Sequence, residues 1–191
     1  GGAVALFGIP GALAPMRLQT DALDYVDPEL PIWKDTRAFG EKVLGLTSVK
    51  VWVSTPPGGV LDPGVLVGLD RLERGLERDP AVGSVVGLAA VLRLRRELAG
   101  EDAALPGDAA ALERVAADLE QLLLQEPSLR AWVDMSTLGS TTLTVTARAG
   151  TDGGTQALET AIREAWARAV AAAPGLARCS YRVVGTGVLQ A

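Results

Sequence analysis

The chain holds no histidine and a single cysteine, so any chemistry it performs must come from carboxylates, glycine loops or aromatic and cationic surface groups. Without histidine the Ser–His and Cys–His nucleophile pairs are excluded, as are zinc sets built on imidazole, and one thiol closes no intrachain disulfide. Cys179, beside Ser180 and Tyr181, reads as a buried strand cysteine, because a reactive thiolate needs an electropositive neighbour. Two glycine-rich stretches, GTDGG (residues 150–154) and PPGG (residues 56–59), lie between strand-like and helix-like runs, where phosphate loops occur. Neither has the GxGxxG spacing or the Walker lysine, and both read as turns. The pairs Glu126/Asp134 and Asp118/Glu120 are the carboxylates that an acid/base reading would use. Asp118 and Glu120 are two residues apart and leave a helix on different sides, and all four read as solvated surface. The chain is therefore read as not an enzyme, with no catalytic, cofactor-binding or metal-binding residue and no cofactor.

Contact chemistry is a better prospect. In SVKVWVS (Ser48–Ser54) strict alternation places Val49, Val51 and Val53 on one strand face and Lys50 and Trp52 on the other. If helices cover the valines, Trp52 faces outward and meets either another subdomain or a hydrophobic ligand. Trp33 and Trp132 join Trp52 and Lys50 as candidate substrate or subdomain contacts, while Trp166 reads as core edge.

Positioning these residues requires two copies of one pattern. The first is the Ser48–Ser54 strand, then a helix entered at Asp62-Pro63 and running to Arg78, then a strand in AVGSVV after Pro80. Its buried stripe is Val65, Leu69, Leu72 and Leu76, and its opposite face carries Asp70, Arg74 and Arg78, with Asp70/Arg74 at a supportive spacing. The second copy is the strand TLTVTAR (residues 142–148), a helix opening near Thr155 with Leu158, Ile162, Ala165 and Ala169 buried, and a closing strand in RCSYRVVG after Pro174. Two β-α-β units with one apolar stripe per helix imply both helices on one sheet face, a ferredoxin-like α+β fold. LAAVLRLRRELAG and GDAAALERVAADLEQLLLQ read as helices inserted between the units. The second is capped by Asp108 and buries Leu112, Val115, Leu119 and Leu122. SLRAWVD (residues 128–134) reads as a short strand or part of a hairpin with residues 141–148, and PIWKDTRAFGEKVLG (residues 31–45) as a helix stopped at Gly45.

The expected organisation is thus a tail at 1–15, a strand and helix at 16–46, the first unit at 47–87, a helical insertion at 88–126, the second unit at 127–187 and a lead-out at 188–191. The apolar run Ala3 to Ala14 is shorter than the roughly 20 residues that span a bilayer and has no basic leader before it. It reads as the end of a longer chain's apolar segment, or as a tag scar followed by a core segment. A net charge of −5, with lysine only at 34, 42 and 50, argues against a nucleic-acid partner.

The order of the segments LQTDALDYVDPELPIWKDTRAFGEKVLG, VKVWVS, LDPGVLVGLDRLERGLERDPAVGSVVGL, ALPGD and the late β-α-β, closed by VVGTGVLQA, resembles the extracytoplasmic, porter-type loop of RND-superfamily exporters in the MMPL-like, hydrophobe/amphiphile branch. The motifs are individually loose, and their order carries the likeness over nearly the whole chain. The resemblance implies a domain on the periplasmic side of a bacterial inner membrane, exporting lipids or other hydrophobic molecules with proton-motive force. It implies as partners a sister periplasmic loop, the transmembrane domain of the same transporter and a hydrophobic or lipid-like substrate. Proton-relay residues of that family lie in membrane helices, so none carries over. A stand-alone ferredoxin-like binding or interaction module is the alternative, and an enzyme of that fold ranks last because no reactive constellation is present.

Overall fold

The computed structural model describes residues 47–148 and 154–184. Four strands, β1 (Ser48–Ser54), β2 (Val82–Val86), β3 (Ser140–Ala147) and β4 (Ser180–Val184), form one antiparallel sheet in the order β2-β3-β1-β4. The four α-helices are α1 (Pro63–Glu77), α2 (Leu88–Leu98), α3 (Ala109–Gln125) and α4 (Gly154–Ala172). The fold class is α+β, and α1 and α4 share one face of the sheet.

The alternation in β1 decides which face is covered. Val49, Val51 and Val53 are buried beneath Val65, Leu69, Leu72 and Leu76 of α1 and Leu158, Ile162, Ala165 and Ala169 of α4. Asp62 starts α1, its Oδ1 accepting from the Gly64 N–H at 2.8 Å and the Val65 N–H at 3.2 Å, with Pro63 at the first helical position. Arg178 reaches the same carboxylate from the 3-10 turn Pro174–Arg178. That turn lies so close to the start of α1 that a Cβ on Gly175 would collide with the Gly64 backbone, so glycine is needed there.

A second, smaller cluster forms on the other side of α1. Leu66 of α1, Leu88 and Leu92 of α2, Val115, Leu119 and Leu123 of α3, and Val60 from the 3-10 turn Gly59–Leu61 make it up. The helix α1 is therefore buried on two sides, between the sheet and the α2–α3 layer.

On the polar flank of α1, α2 packs against Asp70 and leaves it only 9% exposed. Two sequence expectations are corrected. The buried stripe of α3 ends on Leu123, not Leu122, following the i, i+4 step from Leu119. Residues 127–132 form a 3-10 turn, Pro127–Trp132, and only Val133 makes a bridge, to Thr141. The proline at its start and its short polar run favour a turn over a strand. The expected tail, the strand and helix at 16–46, most of the GTDGG loop and the lead-out beyond 187 lie outside the described residues.

Candidate functional site

The outward face of the sheet can be read row by row from the strand register. One row runs Val86, Thr144, Lys50, Val184, and the next runs Thr142, Trp52, Arg182. Trp52 is 45% exposed, Val86 42% and Val184 51%, and Lys50 and Arg182 are exposed beside them. Flanking positions on this face are serines and threonines: Ser48, Ser54, Ser84, Thr146 and Ser180. None of these outward positions on the described strands is Asp or Glu. In a chain of net charge −5, this makes a cationic, partly apolar surface around one tryptophan.

Of the four contact candidates, only Lys50 and Trp52 sit on this surface. Trp132 is half-buried in the 3-10 turn after α3, a separate element. Trp33 lies outside the described residues. Arg182, Val86 and Val184 are members of the face that strand alternation alone did not bring together, because they come from strands whose neighbours are set by long-range pairing. Once β4 is paired with β1, the outward set is readable from period two.

A second constellation escaped the sequence reading. Glu73 of α1 is 1% exposed and lies against the start of α2. Its Oε1 accepts from the Ala89 N–H at 3.1 Å and its Oε2 from the Ala90 N–H at 2.6 Å. Gly87, the residue preceding α2, offers no side-chain cap, so Glu73 serves as the N-terminal cap of α2 from another helix. A Cβ on Gly87 would collide with Glu73 Oε1, which is why a glycine stands there. Arg93 of α2 closes the cluster, with Nη1 at 2.8 Å from Asp70 Oδ1 and 3.6 Å from Glu73 Oε2, and Nη2 bonded to Glu77. Arg74 Nε reaches Asp70 at 3.0 Å.

Burial pushes the Glu73 carboxyl up to about 8, against the downward pull of Arg93 and the two N–H donors, with Asp70 adding to the rise. For Arg93, burial opposes the charge, yet the bond to Asp70 and the charges of Glu73 and Glu77 outweigh it and hold the guanidinium above its usual value. The cluster joins two helices. Its role is to fix α2 against α1.

The carboxylates considered for proton transfer have ordinary places. Asp134 organises a surface turn, accepting from Ser136 Oγ at 2.6 Å and Thr137 Oγ1 at 2.5 Å, and these bonds hold it below the usual carboxylate range. Glu126 ends α3, while Asp118 and Glu120 are exposed along it. Cys179 is half-buried, with Sγ 3.6 Å from the Gly175 carbonyl, and burial raises its thiol pKa, which keeps it protonated and unreactive at neutral pH.

No helix among the described residues is long and apolar enough to cross a membrane. Comparison of the chain with protein-family models, with curated proteins and with solved structures gives no match in any of the three.

Proposed function

We propose that this chain is a ferredoxin-like, porter-type periplasmic domain of an inner-membrane RND-superfamily exporter, MMPL-like in its segment order, that takes part in the proton-driven export of lipids or other hydrophobic molecules. The interleaved order β2-β3-β1-β4, with α1 and α4 on one face, supports the ferredoxin-like part of this reading. The observation that carries the functional part is the outward sheet face, where Trp52, Val86 and Val184 are exposed on the same face as Lys50 and Arg182. A surface of this kind suits contact with an amphiphile or with a neighbouring domain of the same transporter. No residue is assigned a catalytic role, and energy coupling belongs to membrane helices outside this domain.

The test is the reading frame on either side of the chain. The proposal expects an apolar stretch of about 20 residues before and after it, long enough to span a bilayer. In that full-length protein, Trp52→Ala should reduce export while leaving the amount of protein in the membrane unchanged. Polar, soluble flanks would sink the transporter reading and leave a stand-alone binding module in its place.

A further inference from the structure

Across β1 and β4 four outward side chains form a square. Lys50 stands opposite Val184 and Trp52 opposite Arg182, so the two cations lie on one diagonal and the two apolar groups on the other. Diagonal neighbours on a sheet are about 7–8 Å apart, close enough for Lys50 and Arg182 to repel. Among the described residues no carboxylate pairs with either cation. The outward positions of the described strands hold no acid, and the acids of α1 and α4 stand with their helices on the other side of the sheet. With a Debye length of about 8 Å at physiological salt, those acids do little to offset the charge here. The face calls for negative charge from outside.

The arrangement of the apolar groups narrows the source. A second copy presenting the same face would set Lys50 and Arg182 against their own kind, which is unfavourable. A protein interface gathers its apolar groups into a core with a polar rim. Here Val86 and Val184 stand on the two edge strands, β2 and β4, and the hydroxyls of Thr142 and Thr144 lie between them. Lipid headgroups need no central apolar core, because they present negative charge and hydrogen-bond acceptors over a whole surface. Tryptophan is favoured at the level of those headgroups.

We infer that the outward sheet face docks on the headgroup layer of an anionic lipid bilayer, with Lys50 and Arg182 against the lipid phosphates and Trp52 set into the interface. Each cation brought to an anionic surface strengthens binding about fivefold. Two cations and one indole give reversible attachment, far short of a spanning helix. The docking does not depend on the transport reading, which stands or falls on the flanking sequence.

Co-sedimentation of the full chain with vesicles tests it. Vesicles of mixed phosphatidylglycerol and phosphatidylcholine should bind the chain, vesicles of phosphatidylcholine alone should not, and added salt should release it. Tryptophan emission should shift to the blue on binding, and Trp52→Phe should remove that shift. Lys50→Glu/Arg182→Glu should weaken binding at least about tenfold. If that variant fails to fold, Lys50→Gln/Arg182→Gln carries the test with the same expected loss. Equal binding to both kinds of vesicle overturns the inference, as does binding that survives the charge variants, which would come from another part of the chain. A blue shift that persists in Trp52→Phe overturns it too. Binding to polyglutamate without binding to anionic vesicles also overturns it, by identifying an acidic polypeptide as the occupant.

Discussion

Glu73 is the most deeply buried charged side chain among the described residues, and its burial has measurable consequences. In the unfolded chain its carboxyl titrates near the ordinary value of 4.5, and in the folded state burial pushes it up to about 8. Between those values the folded state binds the extra proton, so the free energy of unfolding falls as pH rises. The contribution is full below the unfolded value and is lost as pH climbs through the folded one. Urea unfolding at about pH 5.5 and about pH 8.5 should therefore give a lower midpoint at the higher pH. Glu73→Gln, which stays neutral throughout and keeps an acceptor for one N–H, should reduce that difference. A difference that is identical in parent and variant would mean that the buried carboxyl is ionised across the whole range. Sequence periodicity gave no warning of this residue. Glu73 adjoins Leu72 and reads as one more charge on a helix, and only the return of α2 over that flank turns it into an interior cap. The traces left in the sequence are a row of acids at 70, 73 and 77 on α1, an arginine at 93 on the next helix and a glycine at 87 that needs no side chain.

At the scale of elements, what hydrophobic period could specify came through closely. The strand β1, the Asp62-Pro63 helix entry and both buried stripes are local patterns: period two, a cap with a first-turn proline, and an apolar residue every third or fourth position. Leu72, fully buried beneath the sheet, belongs to that set. Leu72→Ala should lower the stability of the chain by roughly 2–5 kcal/mol through lost apolar contact and the cavity left behind, read as a fall in the thermal or urea midpoint. An unchanged midpoint would put this face of α1 in solvent. What the sequence did not disclose is set by contacts distant along the chain. The stripe of α3 shifts by one residue at its end, from Leu122 to Leu123, because the second cluster lies on that side. The half-buried Trp132 enters a proline-started 3-10 turn because Val133, and not the whole segment, is what pairs with Thr141. On the outward face, period two placed Lys50 and Trp52 correctly relative to the valines, but their companions Arg182 and Val184 depended on knowing that β4 pairs with β1.

In the molecule as a whole, α1 is the shared wall between two apolar clusters of unequal size. The larger joins all four strands to α1 and α4, and the smaller joins α1 to α2 and α3. A structure built this way need not open all at once. The strands β1 and β3 are each paired on both sides, so exposing their amides requires loss of the main cluster. The amides of α3 are released when the smaller cluster alone comes apart. That cluster is tied to the rest through α1, partly by Leu66 and partly by the buried Glu73–Arg93 contact at the start of α2. Ionising Glu73 leaves a charge with little solvent around it, and the cheapest relief is for α2 to lift away from α1 and admit water. Hydrogen exchange, corrected for the intrinsic pH dependence of amide exchange, should therefore show α3 opening at a lower free energy than β1 and β3. Raising the pH through about 8 should cost α2 and α3 more protection than the central strands. Uniform protection, falling equally in α3 and β1 with pH, would show one cooperative unit in which the helical layer has no independent opening.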